Sequence, residues 1–422
     1  MKEEWLKVKL GDLCENIFSG GTPKTQNESY WNGELNWLSS GETRNRYILD
    51  TEKTITQKGV DNSSTRFAKK YSVIMATAGQ GFTRGQTSFL LIDSYINQSL
   101  ISLETKKNKL EPKFLFYNLN NRYRELRELS DANSSRGSIT TKFLKQLPIK
   151  IPKSLETQKK IAKMLSNYDD LIENNNKRIE ILEKQAKLIY EEWFVKFKFP
   201  TKEKIEFVDS ELGKIPKGWE VGKLKELYSL LPGYAYKSKD FKEEGNYGII
   251  KIKNLDNQFV DIQNVNNLDI EKSKFEIFSG NLLIAMTGAQ IGKIGIMPES
   301  KKRFFLNQRV GKFIPNKEYF TNNCFIYLLS KSHKFQEYVK GISLSSSAQP
   351  NISGDQIEGF NLIIPEENIL KEFDNKLNPL FNELINLQNK NQNLRKTRDL
   401  LLPKLISGQI DTKDLNIKID ED

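Results

Sequence analysis

Residues able to carry out acid–base or metal chemistry are scarce in this chain of 422 residues. The one histidine, His333, lies among charged and polar neighbours, which favours a solvated surface side chain over a general base. The two cysteines, Cys14 and Cys324, are far apart and give no CxxC spacing for zinc. Without a second histidine, the sequence argues against a histidine-based metal site.

Two glycine-containing segments come near the pattern of a phosphate-binding loop. That loop has four residues between its glycines and then ends in Gly-Lys-Ser or Gly-Lys-Thr. Neither Gly20–Thr25 nor Gly288–Ile294 has this spacing, and Ile294 stands where a magnesium-binding hydroxyl belongs. We interpret both as tight turns. With no Rossmann fingerprint either, we expect no site for a nucleotide or S-adenosylmethionine in this chain.

A loose nuclease-like pattern, Asp93 followed by Glu104-x-Lys106, is the remaining candidate for catalysis. The sequence contains an internal duplication, described below. If both halves were nucleases, the second half would also have two acidic residues and a lysine at the equivalent positions. The equivalent positions of the second half hold different chemistry: Arg303, Ile314 and Asn316. We therefore predict a non-catalytic protein. A nuclease is kept as an alternative, which DNA cleavage by the purified chain with magnesium alone would support.

Polar and basic loops offer the chemistry of DNA contact instead. Lys, Ser and Thr suit phosphates, whereas Arg, Asn and Gln can pair with the edges of guanine or adenine. Each such loop alone could be an ordinary turn, so the prediction depends on their recurrence in both halves. The candidate DNA-binding residues of the first half are Arg44, Arg46, Gln80, Arg84, Gln86, Arg136, Thr140 and Lys142. Those of the second half are Lys251, Lys253, Asn254, Gln290, Lys293, Arg309, Gln349, Asn351 and Ser353.

The overall charge agrees with a polyanionic partner. Lys and Arg total 65 against 54 Asp and Glu, which gives a net charge of +11. A basic balance favours nucleic acid as a partner, and the plain alternative is a composition rich in lysine throughout. No apolar stretch reaches the roughly 18 residues of a membrane helix, and residues 1–12 are charged. We therefore expect a soluble cytoplasmic protein that does not bind membranes.

Two long helices must position these loops. From Ser154 onward, apolar residues recur in alternating steps of four and three, which predicts a helix with a heptad seam. Ser154 is a plausible N-cap, and the seam from Ile161 to Trp193 would be roughly 48 Å long. Asn175 fills the one polar position of the seam. The predicted pairing and docking positions on this helix are Ile161, Leu165, Ile172, Asn175, Ile179 and Leu182.

A second seam with the same steps runs from Phe373 to Leu405 and also has an asparagine near its middle. Its predicted pairing and docking positions are Leu384, Leu387, Asn391 and Leu394. Pro379 predicts a kink or restart near Asn378, and Pro403 should end the regular helix before Gly408. Antiparallel pairing of the two helices would bring Asn175 close to Asn391. The alternative places one or both amides at a solvated edge.

The chain is duplicated. Four separate segments of the first half recur at offsets of 210–214 residues, which is too regular for chance. The matched pairs are Trp5–Leu13 with Trp219–Leu227, Tyr71–Gln80 with Asn281–Gln290, Asn97–Gln98 with Asn307–Gln308, and Ile139–Pro152 with Ile352–Pro365. Each repeat is thus a strand-rich unit followed by a long helix. Short amphipathic helices are predicted at Pro112–Glu128 and Asn322–Lys340.

Together these patterns predict an α+β fold with two strand-rich mixed globular domains, separated by a pair of long antiparallel coiled-coil helices, and a pseudo-two-fold internal repeat. The predicted boundaries are a first globular domain at 1–153, a first helical spacer at 154–199, a second globular domain at 200–365, a second spacer at 366–410 and a tail at 411–422.

Several motifs resemble those of the specificity subunit of type I restriction-modification systems, along essentially the whole chain. The matching segments are Ile151-Pro152 with Glu156–Ile161, Trp193–Pro200, Gly213–Trp219, Gln349–Ser353 and Arg398–Gly408. Two places depart from the family pattern. The first half has Ser135–Ile139 where the second has Gln-Pro-Asn-Ile-Ser, and the second helix opens Pro365–Ile369 without the expected Gln and Lys.

The resemblance implies a DNA-binding subunit that makes and breaks no covalent bond. Each recognition domain would read one half of a bipartite target, and the helices would hold the halves apart. It also implies two methyltransferase subunits and translocating restriction subunits as partners. S-adenosylmethionine, ATP and magnesium are then expected in those partners and not in this chain. The alternatives are a solitary DNA-binding or decoy protein on the same scaffold, and a purely structural coiled-coil adaptor.

Overall fold

The structure is a computed structural model that describes residues 3–79, 82–133, 138–202, 204–344, 351–412 and 417. The chain forms two compact units. The first unit comprises Met1–Leu171 together with Leu394–Asp422, and the second comprises Ile172–Asn393. Each unit contains a strand-rich part and a segment of each of two long helices. This confirms the predicted α+β class and the repeated domain.

The strands of the first unit form two sheets and one separate pair. They are β1 (Trp5–Lys9), β2 (Cys14–Ser19), β3 (Trp31–Leu38), β4 (Tyr47–Ile48), β5 (Lys53–Ile55), β6 (Arg66–Ala68), β7 (Val73–Ala76), β8 (Thr87–Leu90), β9 (Ser94–Ile96), β10 (Leu100–Thr105) and β11 (Pro148–Pro152). One sheet has the order β2-β10-β7-β8-β4 and the other β5-β3-β9-β6, and β1 pairs with β11. Most neighbours are antiparallel, but β3 runs parallel to β9.

Short helices cover the first unit. They are α1 (Leu10–Leu13), α2 (Gln57–Asp61), α3 (Pro112–Asn121), α4 (Tyr123–Asn133) and α5 (Thr141–Gln146). Helix α3 is buried over the run Phe114–Leu119, within a core that includes Val73, Met75 and Phe89 of the first sheet. The prediction of a single helix at Pro112–Glu128 is therefore wrong. Two helices occur instead, because the backbone leaves the helical region at Arg122, with φ −99° and ψ 15°.

The second unit repeats this frame. Its strands are β12 (Phe207–Ser210), β13 (Gly213–Pro216), β14 (Glu220–Lys223), β15 (Tyr228–Pro232), β16 (Tyr247–Ile250), β17 (Asn266–Leu268), β18 (Glu276–Ile277), β19 (Leu282–Ala285), β20 (Ile294–Ile296), β21 (Phe304–Leu306), β22 (Val310–Pro315) and β23 (Asn361–Ile364). One sheet has the order β15-β22-β19-β20 and the other β17-β16-β21-β18. The pair β14–β23 corresponds to β1–β11, and β16 runs parallel to β21 as β3 does to β9.

The short helices of the second unit are α7 (Cys324–Lys331), α8 (His333–Leu344) and α9 (Gly354–Glu358). The single helix predicted at Asn322–Lys340 is thus also two helices. The reason is Ser332, which has an extended ψ of 147° at the end of α7. Its Oγ accepts a hydrogen bond from the Phe335 N–H at 3.3 Å, so it starts α8 as an N-cap.

The first long helix, α6, runs from Leu155 to Tyr190 and continues as a π-helical turn over Glu191–Val195. Ser154 caps it as predicted, because its Oγ accepts a hydrogen bond from the Thr157 N–H at 3.3 Å. Trp193, the last residue of the predicted seam, is buried in the π-helical turn.

The second long helix, α10, runs without interruption from Glu367 to Ser407. The restart predicted near Asn378 does not occur, and Pro403 does not end the helix. Leu402, Leu405 and Ile406 are buried in the core of the first unit. Burial of such side chains gives about 1.5–3 kcal/mol each, which offsets the hydrogen bond that Pro403 cannot donate. Gly408 follows the helix as predicted, with a positive φ of 78°.

The two long helices pair antiparallel within each unit. In the first unit, Ile161 and Leu165 share a core with Leu402 and Leu405. In the second unit, the described seam positions are buried or half-buried. Residues later in α6 contact residues earlier in α10, as two hydrogen bonds show. Asn175 bonds Asn391 at 2.9 Å, and Arg178 bonds Glu383 at 2.8 Å. The predicted antiparallel sense and the predicted asparagine pair are thereby confirmed.

Candidate nucleic-acid interface

Three loops of the first unit meet at the end of strand β7. They are the hairpin loop between β7 and β8, the turn after β9, and the segment that leads into α5. The Thr77 N–H donates to the Ser99 carbonyl at 2.9 Å, and the Ile139 N–H donates to the Thr77 carbonyl at 3.0 Å. Ile139 is buried, which anchors the third loop. We call this arrangement the loop junction.

The second unit has the same loop junction at the end of β19. Here the Met286 N–H donates to the Arg309 carbonyl at 3.0 Å, and the Ile352 N–H donates to the Met286 carbonyl at 3.0 Å. Ile352 is buried like its counterpart Ile139. The duplication therefore preserves a backbone frame that brings three loops together in each unit.

The hairpin loops of the two junctions also close in the same way. Gly85 and Gly292 both have positive φ angles, of 86° and 80°, which favour glycine. The Gly85 N–H donates to the Ala76 carbonyl and the Gly292 N–H to the Ala285 carbonyl, each at 2.9 Å. The two loops share these closing hydrogen bonds, but the loop of the first unit is two residues longer, and Lys293 stands where the first unit has Gln86.

A fourth loop follows the parallel strand of each unit and is closed by a buried polar side chain. In the first unit, the Ser39 N–H donates to Oε1 of Glu42 at 2.8 Å. In the second, the Lys251 N–H donates to Oδ1 of Asn254 at 3.0 Å. In the first unit this loop also reaches the hairpin loop, because Thr43 Oγ1 donates to Oε1 of Gln86 at 3.3 Å.

The candidates of the first unit divide into exposed and internally bonded side chains. Arg44 is exposed and pairs with Glu52 at 2.7 Å, and Lys142 is exposed as well. Thr140 is exposed but caps α5, since its Oγ1 accepts from the Phe143 N–H at 3.1 Å. Arg84 is buried, with 5% of its surface exposed, and its guanidinium pairs with Asp131 at 2.6 Å.

Arg46 is engaged within the first unit by a cluster of buried polar groups around Asp169 of α6. Asp169 Oδ2 accepts from Tyr117 OH at 2.6 Å, from Tyr47 OH at 3.0 Å and from Arg46 Nη2 at 3.3 Å. Its Oδ1 accepts from Arg398 of α10. We call these five residues the Asp169 cluster. It joins the loop that carries Arg44 to both long helices of this unit.

The contacts of the Asp169 cluster favour the ionised form of the Asp169 carboxylate. Burial alone would raise the pKa of Asp169, but the positive charges of Arg46 and Arg398, with hydrogen bonds from Tyr117 and Arg398, lower it below its ordinary value. Burial raises the pKa of the Tyr117 hydroxyl, so Tyr117 stays a donor.

In the second unit, the carboxylate of Glu183 on α6 makes a related contact, because it accepts hydrogen bonds from Gln258 and Lys331, each at 2.7 Å.

The Asp169 cluster was not predicted, although the sequence contains a usable signal for it. Arg398 occupies a seam position of the second helix, and apart from Asn391 the other seam positions are apolar. A buried guanidinium needs a counter-charge. An acidic residue beside the seam of the first helix was therefore required, and Asp169 fulfils that role.

In the second unit, the exposed candidates are Lys253, Arg309, Asn351 and Ser353, while Gln290 and Lys293 are half-buried. Ser353 caps α9, since its Oγ accepts from the Gln356 N–H at 3.2 Å. The remaining two candidates make internal contacts.

Asn254 is buried, and its Nδ2 donates to the carbonyls of Asp261 and Asn264 at 3.1 Å each. Lys251 Nζ lies 3.6 Å from the centre of the Phe241 ring. Burial, and secondarily the charge of Lys253, lower the pKa of Lys251. Three further candidates, Gln80, Arg136 and Gln349, lie outside the described residues.

The two carboxylates of the nuclease-like pattern serve separate structural contacts. Asp93 Oδ1 accepts from the Lys70 N–H at 2.7 Å, and Glu104 Oε2 accepts from Asn16 Nδ2 at 2.7 Å. Among the residues that the structure describes, no group of three or more His, Cys, Asp or Glu side chains could hold a metal ion. Within the same residues, no helix is long and apolar enough to cross a membrane.

Comparison with known proteins identifies the fold and the relatives of this chain. The family model described as "Type I restriction modification DNA specificity domain" matches twice, at residues 2–184 and 216–395. The specificity subunit of the type I restriction enzyme MjaIX from Methanocaldococcus jannaschii is 28% identical, over 98% of this chain and 95% of that protein. The HindI specificity subunit of Haemophilus influenzae is 23% identical, over 96% of this chain and 100% of that protein.

Among solved structures, the crystal structure of the S subunit of a type I restriction-modification system from M. genitalium has the same fold. Its TM-score is 0.57 at 16% sequence identity, and the match covers 96% of both chains.

Proposed function

Because this chain belongs to the family of type I restriction-modification DNA specificity subunits, which recognise DNA without catalysis, we propose that it reads a bipartite DNA target with one half-site per unit. One observation carries the proposal: the loop junction occurs in both units on the same backbone frame but with different side chains. A constant frame with variable side chains is what two different half-sites require.

The exposed candidates around each junction are the proposed DNA contacts. In the first unit these are the exposed Arg44 and Lys142 with the half-buried Gln86, and in the second unit the exposed Lys253, Arg309 and Asn351 with the half-buried Gln290 and Lys293. Gln80, Arg136 and Gln349 belong to the same proposal through their positions in the loops. The internally bonded candidates instead hold the loops in place, and they are Arg46, Arg84, Thr140, Lys251, Asn254 and Ser353.

The long helices are proposed to set the distance between the two half-sites. Helix α6 has 36 residues, which is about 54 Å of helix at 1.5 Å per residue. That length equals about one and a half helical turns of DNA, at roughly 34–36 Å for each turn. The target should therefore contain several unread base pairs between its two halves.

The helices also offer a surface for partner subunits. Ile181, Leu188 and Val195 are 57%, 50% and 58% exposed, and they follow one another at intervals of seven residues. Residues seven apart lie on one face of a helix, so these side chains form an apolar stripe. We assign this stripe to docking of a methyltransferase subunit. Two methyltransferase subunits and restriction subunits would complete the cytoplasmic assembly and would carry S-adenosylmethionine, ATP and magnesium.

Domain exchange tests the proposal. Residues 1–150 are replaced by those of another specificity subunit, with Arg46, Tyr47 and Tyr117 retained because they bond Asp169. The hybrid is expressed with its methyltransferase, and the methylated motif is read by sequencing genomic DNA. Only one half of the motif should change, and an exchange of 200–365 should change only the other half. A continuous, unsplit motif would refute a bipartite target.

A further inference from the structure

The tip of the hairpin loop in the first unit carries an apolar ring in solvent. Phe82 is 84% exposed, the highest value among the large apolar side chains of the described residues. It directly precedes the turn in which the Thr83 carbonyl accepts a hydrogen bond from the Gln86 N–H at 2.9 Å. Single apolar side chains at a surface are common, so exposure alone assigns no role.

Phe82 differs from other exposed apolar residues because side chains on one face of helix α4 bond the backbone of its loop. Tyr123 OH donates to the Phe82 carbonyl at 2.6 Å, and Arg127 Nη1 donates to the Arg84 carbonyl at 3.1 Å. Asp131 pairs with the buried Arg84 guanidinium at 2.6 Å. Tyr123, Arg127 and Asp131 are spaced by four residues and lie on one helix face. Three polar contacts thus hold the chain at Phe82 and Arg84 while the Phe82 ring stays in solvent.

The second unit shows that the ring is an addition to a shared frame. Its hairpin loop closes with the same backbone hydrogen bonds, although it has six residues between Ala285 and Gly292 where the first unit has eight between Ala76 and Gly85. Counted back from the closing glycine, the position of Phe82 is occupied by Ala289. The fold of the loop therefore does not require an aromatic residue at this position. Of the two hairpin loops, only that of the first unit carries an aromatic residue at this position.

We propose that Phe82 packs its ring against the apolar surface of a DNA base in the half-site read by the first unit. The inference rests on the proposed function, because the loop junction is what brings this loop to DNA. DNA is favoured over a protein partner because the ring lies on a loop of that junction. The apolar surface of a base is presented either by a thymine methyl group in a groove or by the face of an unstacked base.

The test uses the complete chain assembled with its methyltransferase subunits and DNA duplexes that carry the motif methylated by that complex. Binding is measured to the intact motif, to one with the first half-site scrambled, and to one with the second half-site scrambled. Phe82→Ala should weaken binding to the intact motif and to the second-half-scrambled duplex by about 10-fold. It should leave binding to the first-half-scrambled duplex unchanged, because the contact is already lost there.

Two further arms distinguish the two base surfaces. Uracil in place of each thymine of the first half-site removes only the methyl group, so it should reproduce the Phe82→Ala effect if the ring contacts a methyl. A 2-aminopurine probe in that half-site should instead become brighter, in a Phe82-dependent manner, if the ring unstacks a base. Phe82→Tyr keeps the ring and should stay close to the wild type in either case.

Phe278→Ala is the matched control. Phe278 is 60% exposed but lies at the opposite end of β19 from its hairpin loop, so its removal should not change DNA binding. Equal binding by the wild type and Phe82→Ala overturns the inference, and so does failure of Phe82→Ala to assemble with the methyltransferase. A wild-type complex that ignores the first half-site overturns the proposed function as well.

Discussion

Asn175 of α6 donates a hydrogen bond from Nδ2 to Oδ1 of Asn391 of α10 at 2.9 Å, and both side chains are buried within the second unit. Asn391 Nδ2 in turn donates to Oδ1 of Asn176 at 2.9 Å. A helix seam made only of leucine and isoleucine would tolerate a shift by one heptad. The asparagine pair prevents that shift, because any other register leaves buried amides without partners.

Replacing one member of this pair should destabilise the second unit. In Asn391→Leu, the Nδ2 of Asn175 stays buried and loses its acceptor, at a cost of about 1–3 kcal/mol in the free energy of unfolding. The double variant Asn175→Leu/Asn391→Leu should recover most of this loss, since two apolar side chains suit the seam. Urea unfolding of the four proteins of the cycle gives the coupling energy.

Asn382→Ala is the control for the asparagine cycle. Asn382 is exposed on the same helix, so its replacement should change the free energy of unfolding by less than about 0.5 kcal/mol. If Asn391→Leu is as stable as the wild type, the pair does not specify the register.

The sequence predicted the asparagine pair because periodicity and duplication are local signals. Each seam is readable from one stretch of chain, and its single amide stands out at the centre. The same holds for the backbone frame of the loops, since the duplication marks equivalent segments. Helix ends were less predictable: Pro403 has the local signature of a helix end, but burial of Leu405 and Ile406 in the first unit overrides it.

The fate of individual charged side chains could not be predicted from the sequence. Arg44 and Arg46 are two residues apart in one loop, yet the Arg44 side chain is 66% exposed and that of Arg46 is 31% exposed. Asp169 is buried, whereas its neighbour Asp170 is exposed. The partners that decide these outcomes lie 123 and 229 residues from Asp169 along the chain, and only the folded first unit brings them together.

Asp169→Asn should strongly destabilise the first unit. The variant keeps the size of the side chain but removes the negative charge, so the buried guanidinium of Arg398 loses its main counter-charge. Breaking a buried ion pair in this way costs about 3–5 kcal/mol. Thermal and urea unfolding should both detect the loss. Asp170→Asn, the exposed neighbour, should behave like the wild type, and a stable Asp169→Asn protein would contradict the role given to the Asp169 cluster.

Asp374 predicts a pH dependence of the opposite sign to that of Asp169. Burial raises the pKa of Asp374 above its ordinary value of 3.8, although hydrogen bonds from the N–H and Oγ1 of Thr321 oppose the shift. The folded protein therefore binds this proton more tightly than the unfolded chain. As pH rises from about 4 through the raised pKa, this residue makes folding less favourable.

The measurement compares the wild type with Asp374→Asn in urea between pH 4 and pH 7. The stability of the variant relative to the wild type should increase as pH rises through this window, since asparagine carries no titrating group. For Asp169, whose pKa is lowered, the ionised form stabilises the fold above about pH 4 and the contribution is lost as pH falls through the lower folded pKa. Asp169→Asn should accordingly approach the wild type only in acid. Parallel pH profiles for all three proteins would contradict both assignments.

Arg309 and Arg84 should respond differently to truncation, because one is exposed at a loop junction and the other is buried against Asp131. Arg309→Ala should leave folding unchanged and weaken DNA binding by the assembled complex. If Arg309 contacts a base, the loss in binding free energy should be about 1–3 kcal/mol and confined to the second half-site. If it contacts a phosphate, the loss should be independent of DNA sequence, and the slope of affinity against salt concentration should fall by about one.

Arg84→Ala should mainly lower the unfolding temperature of the first unit, since Asp131 loses its partner and the hairpin loop loses a contact with α4. Competition binding between 50 and 200 mM salt, combined with thermal unfolding, separates these outcomes. Unchanged DNA affinity of Arg309→Ala at low salt would remove it from the proposed interface.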